Sequence, residues 1–372
     1  MITSDMFFET IQKQHTNQLP FVAYRKPNST EVKALLQTDD TVHYIDDYSE
    51  SGFVFAPFDT ANKSILIPFE QADSLDMSYS NLGIQARHNE ISLAEKNKQN
   101  HINLVEKGIQ AIANQTFKKV VLSRKETVVL TKFNVVQTFK KLLDTYPLAF
   151  VYCWYHPKIG LWLGATPETL MKIEGNQFSM MSLAGTQEYN GSINVAWEDK
   201  EKEEQQIVTD FIVNGLKPFV QDIQTSDVET VKAGNLLHLK TIISARLKQE
   251  EFNFKALIHA LHPTPAVCGF PKKAAKAFIM KNEHYNREFY TGYLGELNLE
   301  TKRHPRASKR NIENRAYAIT KKSTQLYVNL RCMQIKDHKA LIYVGGGITK
   351  ISNAEKEWEE TVSKSKVIKS IL

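Results

Sequence analysis

Two acidic clusters, far apart in the chain, hold the side chains best suited to chemistry. The first is Asp199-Lys-Glu-Lys-Glu-Glu-Gln-Gln-Ile-Val208, containing Glu201, Glu203 and Glu204. Helical spacing puts Glu203 and Glu204 one turn before Ile207 and Val208, so one carboxylate can lie beside a buried stripe. The same pattern fits an acidic first turn favoured by the helix dipole. The second is Glu357-Trp-Glu-Glu-Thr-Val-Ser-Lys364, in which Glu357, Glu360 and Lys364 fall at i, i+3 and i+7 on one helix face. Carboxylates from two separate helices suit a hard cation such as Mg²⁺, with water and substrate oxygens completing its shell. A solvated face with a Glu360–Lys364 pair fits the second cluster as well.

Four further features invite chemistry. Tyr-Val-Gly-Gly-Gly-Ile-Thr, residues 343–349, lets the backbone approach a ligand at Gly345, Gly346 and Gly347, where free N–H groups can bind a carboxylate. It is neither a P-loop nor GxGxxG, and a tight turn would use the same residues. Arg331, amid the apolar strand residues of Val-Asn-Leu-Arg-Cys-Met, wants an anionic partner from protein or ligand. Lys119 opens the β-prone Val-Val-Leu-Ser-Arg, and desolvation there would favour the neutral amine of a base. Glu168, in Gly-Ala-Thr-Pro-Glu-Thr-Leu, could stay protonated in a closed pocket and serve as an acid. Singly, each is an ordinary charge.

The elements that must position these residues alternate irregularly. Residues 1–20 read as a short amphipathic helix with Met6, Phe7, Phe8 and Ile11 on one side. Strand-like runs follow at Phe21–Arg25, Thr41–Ile45, Gly52–Pro57 and Ser64–Pro68. A polar stretch around Ser78–Gln99 leads into a helix over roughly Asn100–Gln115, then short β-prone runs at Lys119–Ser123 and Thr127–Leu130. Helices are predicted at Val135–Asp144, Glu198–Phe219, Phe254–Leu261 and Lys272–Lys281, with Pro271 opening the last of these. Strands are predicted at Phe150–His156, Leu161–Ala165, Leu170–Glu174, Leu239–Leu247, Tyr290–Leu299, Thr324–Gln334 and Ala340–Val344. A final helix starts near Asn353, where Ser352 and Glu355 have capping-box spacing. The pattern implies an α+β fold: large antiparallel sheets forming a sandwich-like core, with helices packed outside. With no Pro/Gly/Ser linker and no short-period repeat, residues 1–372 read as one catalytic domain, 1–100 being its variable part and 101–372 its motif-bearing core.

Composition excludes several classes. A chain of 372 residues, 42% hydrophobic, can bury one large core or two smaller ones. The net charge of +6 suits an anionic small substrate and is too mild to argue for nucleic acid. Cys153, Cys268 and Cys332 show no CxxC pairing, against a disulfide framework or structural zinc. The N-terminus lacks a basic, apolar leader, and no window approaches the ~18 apolar residues of a membrane span. A cytoplasmic protein with no membrane partner is expected, as a monomer or weak homodimer. The basic segment Glu300–Ser323 reads as a solvated surface insertion, with a phosphate-binding patch as the sharper alternative. Without an aromatic ladder it is not read as a nucleic-acid site.

Taken together and in order, these features resemble the chorismate-binding enzymes, which include isochorismate synthases, salicylate synthases, anthranilate synthase large subunits and aminodeoxychorismate synthases. The matching stretches are KVVLSR (119–124), GATPETL (164–170), SLAGT (182–186), EEQQIV (203–208), LHPTPAVCGFP (261–271), REFYTGYLGE (287–296), VNLRC (328–332), VGGGIT (344–349) and EWEETVSK (357–364). The LHPTPAVCGFP block is similar to that of isochorismate synthases, whereas the amine-transferring members usually carry a Phe-Pro-Ala-Gly-Thr type sequence there. The resemblance thus implies conversion of chorismate to isochorismate, with salicylate synthesis (the same step followed by pyruvate elimination) as the alternative, and no obligatory amidotransferase subunit. The glycine run has three glycines where a mixed Gly/Ala run is common, and the 300–323 insertion is longer than the family pattern.

Carried over position by position, the resemblance implies that Lys119 is the base that activates water for attack at C2. Glu168 is implied as the acid that protonates the departing C4 hydroxyl. Glu204 and Glu360 would hold Mg²⁺, with Glu201 and Glu357 acting through bound waters. Arg331, the neighbourhood of Tyr290 and the backbone at Gly345–Gly347 would hold the enolpyruvyl carboxylate. Thr186, Lys364 and His262 would complete the pocket, His262 in its wall. The product would feed menaquinone or siderophore biosynthesis.

Overall fold

The computed structural model of the chain describes residues 2–81, 83, 95–233, 236–248, 252–303 and 319–372. Two antiparallel sheets face one another. The first runs, edge to edge, Gly269–Phe270, Lys119–Val129, Lys339–Ile348, Cys332–Lys336, Gly160–Thr166, Phe150–His156, Phe21–Arg25, Glu31–Gln37, Ala72–Ser78. The second runs Val220–Thr225, Leu236–Leu247, Gln177–Glu188, Thr169–Glu174, Ile319–Val328, Tyr293–Arg303, Gly52–Ala56, Ile65–Pro68, His43–Tyr44, with Glu229–Ala233 also pairing onto Leu236–Leu247. Residues 21–78 therefore give strands to both sheets.

Strand alternation explains why so many strands are buried on both faces. In Gly52–Ala56, Phe53 and Phe55 point between the sheets, where they pack with Tyr24, Trp154, Trp162 and Phe289. Val54 and Ala56 point the other way, into a second core beneath the helices Asp199–Leu216 and Phe254–Leu261. Helices Ser4–Thr16 and Val135–Thr145 close the outer face of the nine-stranded sheet through Phe7, Phe8, Ile11, Phe139 and Leu142. Met6, expected on that apolar side, is 56% exposed, because the stripe that reaches the core is Phe7–Phe8–Ile11. Helices Glu95–Ala113 and Lys272–Asn282 pack with Lys119–Val129 around a fourth apolar cluster.

Several boundaries differ from expectation. Lys119–Val129 is one strand, not two, because Arg124 and Glu126 are buried as an ion pair and do not interrupt it. The expected Thr324–Gln334 strand is two strands in different sheets, Ile319–Val328 and Cys332–Lys336, separated by a bend in which Arg331 has φ +46°. Tyr290 precedes its strand, which starts at Tyr293. The last helix is capped by Asn353, whose side chain accepts from Lys356 N–H, while Ser352 Oγ accepts from Thr349 N–H instead. Among the described residues no helix is long and apolar enough to cross a membrane. Most of the basic 300–323 segment, residues 304–318, lies outside the described residues, as does much of the polar 78–99 stretch.

Candidate active site

The site forms where the first sheet opens. Cys332 pairs with Tyr343, but the chain turns away at Arg331, so Val344–Ile348 pair only with Val120–Arg124 on their other side. The free edge at Gly345–Gly347 faces a pocket walled by Pro167, Glu168, Leu183–Thr186, His238, Tyr290, Thr291 and Arg331, and by Glu204, Glu360 and Lys364 from two helices.

The glycines are required by close approach. A methyl on Gly347 would collide with Glu204 Oε1 and lie 3.1 Å from Lys119 Cε. One on Gly346 would sit 3.2 Å from Glu357 Oε2 and 3.5 Å from Glu360 Oε1, and one on Gly345 would sit 3.1 Å from the Tyr290 hydroxyl. The glycine row is thus a floor on which carboxylates from helices Asp199–Leu216 and Ala354–Lys369 rest.

Three of the carboxylates each meet a lysine. Lys119 Nζ, fully buried, lies 2.7 Å from Glu204 Oε1 at an angle that falls short of a hydrogen bond. Lys364 pairs with Glu360 and donates to the Gly345 carbonyl at 3.0 Å. Lys200 pairs with Glu357 at 2.6 Å. Burial raises the Glu357 carboxyl to about 6, helped by the like charge of Glu360 and opposed by Lys200. Burial also acts on Glu360, but Lys364, Lys200 and Arg331 outweigh it and hold that carboxyl below its ordinary value. Glu201 is buried against Gly185, and burial pushes its carboxyl up. Glu203 points outward.

Glu168 stands apart. Burial lifts its carboxyl to about 8, against the pull of Lys119 and Arg331. It therefore faces the pocket largely as a neutral acid at pH 7. Arg331 is half-buried on the pocket wall, and among the described residues its side chain makes no ion pair. A partly enclosed guanidinium without a paired carboxylate is a site for an anion.

Of the sequence candidates, Glu168, Thr186, Glu204, Tyr290, Arg331, Gly345, Gly346, Gly347, Glu360 and Lys364 border the pocket. Lys119, Glu357 and Glu201 lie in its walls behind that surface. His262 does not join them. It ends the Phe254–Leu261 helix and stacks edge-on against Tyr293, in a different cleft with Tyr48, Lys63 and His259. The block around it still contributes, because Ala266 and Val267 reach the pocket.

Sequence reasoning missed Lys200, His238 and Arg287. Lys200 sits in an acidic helix start, where nothing local sets it apart from a surface charge. His238 has its Nδ1 hydrogen-bonded to the Gly185 carbonyl at 2.8 Å and its Nε2 unpartnered; burial, then Arg331, lower it to about 3, so the ring is neutral. A lone histidine within Leu-Leu-His-Leu was its only signal. Arg287 ties the pocket's far wall together, donating to Glu283, to the Val121 carbonyl at 2.7 Å and to the Val267 carbonyl at 3.0 Å.

Among the described residues no three His, Cys, Asp or Glu side chains converge as a metal cage. The donor set nevertheless fits a cation that keeps most of its shell as water and substrate oxygens and needs only one or two carboxylates. Glu201 Oε2 and Glu357 Oε2 are buried with no hydrogen-bond partner, and Glu204 and Glu360 project over the glycine floor.

Comparison with known proteins identifies the family and the fold. The family model for chorismate binding enzyme matches residues 57–303, and a second of the same description matches 317–370. The isochorismate synthase DhbC of Bacillus subtilis is 25% identical over 330 residues, covering 83% of this chain and 77% of its own. The solved structure of DhbC from Bacillus anthracis superposes with a TM-score of 0.77 at 20% identity, over 97% of this chain and 98% of that one. MenF, the menaquinone-specific isochorismate synthase from Escherichia coli, gives 0.72 at 18% identity, over 95% and 88%. With most of its length matched by the family model, and its sheets, glycine floor and two acidic helices meeting at one pocket, the chain belongs to the chorismate-binding enzyme family.

Proposed function

We propose that this protein is an isochorismate synthase, an isomerase that moves the ring hydroxyl of chorismate from C4 to C2. The observation that carries the reading is a buried acid and a buried amine in the walls of one pocket: Glu168, held near 8, and Lys119, fully enclosed. Lys119 takes a proton from water as its oxygen bonds to C2. The ring double bonds shift, the C4–O bond breaks, and Glu168 gives its proton to the departing hydroxyl. One water enters and one leaves, so no oxidant or second substrate is needed. Glu204, 2.7 Å from Lys119 Nζ, is placed to stabilise positive charge on that nitrogen. At pH 7 a carboxyl near 8 is protonated about ten to one, as a proton donor requires.

The substrate is a dianion, and two features suit it. Arg331 with the Tyr290 hydroxyl and the open Gly345–Gly347 edge would hold the enolpyruvyl carboxylate. Glu204 and Glu360, with Glu201 and Glu357 behind them, would hold Mg²⁺, whose charge would bind the ring carboxylate. Lys364 and Lys200 then neutralise the remaining acidic charge. Relatives named isochorismate synthase support this chemistry over ammonia-dependent members of the family. Those names span menaquinone-specific and vibriobactin-specific proteins, so the pathway served is a separate question.

The test is purified protein with chorismate and Mg²⁺, products separated by chromatography. Isochorismate from the wild type, absent with EDTA, and lost in Lys119→Ala and Glu168→Gln, is expected. Salicylate with pyruvate would move the protein to the salicylate synthases, and turnover only with ammonia would overturn the proposal.

A further inference from the structure

A second polar cleft lies beside strand Lys119–Val129, between helix Glu95–Ala113, residues 123–125 and the turn after helix Lys272–Asn282. Its volume is about 380 Å³. Its charged lining is Lys107, Arg124, Lys125 and Glu283, with His101 and His284. Glu283 is already spent: it accepts from Arg287 Nε at 2.7 Å and from the Ser123 amide and hydroxyl at 2.7 and 2.8 Å. Behind the cleft, Glu126 is shared between Arg124 Nη1 and Lys369. Among the described residues no carboxylate forms an ion pair with Lys107 or Lys125 on the rim.

Among the described residues two buried atoms there lack partners. Arg124 and His101 are 8% and 3% exposed, and Arg124 Nη2 and His101 Nδ1 have no hydrogen-bond partner. Burial, then the nearby Arg124, lowers His101 to about 4, so its ring is neutral and adds no charge to the cleft. A guanidinium with one free nitrogen, two rim lysines and a neutral imidazole make a receptor for a small oxyanion.

Arg124 also touches the helix that carries Glu357 and Glu360. Its Nε donates to Thr361 Oγ1 at 2.8 Å, and its guanidinium lies 4.4 Å from the centre of the Trp358 ring. Those residues directly neighbour Glu357 and Glu360 in the chain.

We propose that this cleft is a second, anion-binding site for a small phosphate- or carboxylate-bearing metabolite, coupled through Arg124 to the helix that carries Glu357 and Glu360. The coupling to turnover rests on the function proposed above; the binding does not.

The experiment titrates the full chain with inorganic phosphate and, separately, with citrate, by calorimetry at constant ionic strength, which separates the two ligand sources. Lys107→Gln/Lys125→Gln removes rim charge at exposed positions, and Arg331→Ala blocks anion binding in the chorismate pocket. The expected result is at least tenfold weaker binding of one probe in the rim variant and unchanged binding in Arg331→Ala. Each single rim variant should fall between, which keeps the test valid if the double variant is misfolded. Loss in Arg331→Ala with retention in the rim variant would place the anion in the chorismate pocket and overturn the proposal, as would no binding of either probe. For the coupling, the bound probe should change the wild-type rate with chorismate at least twofold and leave the rim variant's rate unchanged. Equal rates with and without it would overturn that half. A protein that binds the anion but turns over no chorismate would refute the proposed function while leaving the site intact.

Discussion

Replacing Glu168 by Gln should make the protein more stable at alkaline pH while destroying its activity. In the native state burial holds this carboxyl near 8, against an ordinary value of 4.5. Between those values the folded protein keeps a proton that the unfolded chain has released. Raising the pH therefore favours unfolding, by about 1.4 kcal/mol per pH unit. From pH 6 to 7.5 the wild type should lose about 2 kcal/mol relative to Glu168→Gln, whose amide has the same shape and no proton to lose. Above 8 the difference levels off, because both native and unfolded carboxyls are then ionised. Other titrating groups are common to both proteins and cancel in the comparison. Urea unfolding of the two at four or five pH values gives the difference directly, provided the m-values agree. In parallel, kcat/KM of the wild type should fall tenfold per pH unit above about 8, as the acid loses its proton. Unfolding curves that differ by a constant amount from pH 6 to 8 would refute the reasoning, since Glu168 would then titrate alike in both states.

Gly347→Ala should lower kcat/KM by roughly 100-fold or more with a folded protein, because its methyl displaces Glu204 and crowds Lys119; a variant within threefold of wild type would remove the glycine floor from the argument. Arg331→Ala should raise KM on the order of 10–100-fold through loss of charge-assisted hydrogen bonds, measured by initial rates. Arg287→Met should destabilise the fold by about 3–5 kcal/mol, because Glu283 is left as a buried unpaired charge; urea unfolding would show it, and Glu283→Gln in the same background should recover part of the loss.

What the sequence disclosed follows the strength of each local signal. Strands such as Phe21–Arg25 and Phe150–His156 are aromatic or β-branched runs, and those were legible. Glu31–Gln37 and Ala72–Ser78, at the edge of the first sheet, carry Lys, Ala, Asp and Ser and were not. Gln177–Glu188 is the harder case. It lies inside the second sheet, yet Met, Ser and Gly replace the usual β-formers, and its alternation shows only through Phe178, Met180 and Ser182 on the buried face. Tertiary pairing on both sides supplies what propensity lacks.

The break at Arg331 decides the site and was invisible for a different reason. Val-Asn-Leu-Arg-Cys-Met reads as continuous strand, and nothing local announces a turn. The bend is set from outside: Asn329 accepts from the Tyr152 hydroxyl at 2.6 Å and donates to the Phe289 carbonyl at 2.9 Å. These partners lie 177 and 40 residues away in the chain. By stopping the ladder at Cys332–Tyr343, the bend does two things at once: it turns Arg331 into the pocket and frees one edge of Gly345–Gly347. The acid and amine then arrive from the neighbouring Thr166–Thr169 turn and the Lys119 strand, and the carboxylates from helices laid over the glycines. The chemistry was readable as a set of residue types, but their meeting point is a property of sheet topology, set by where two strands that pair everywhere else cease to do so.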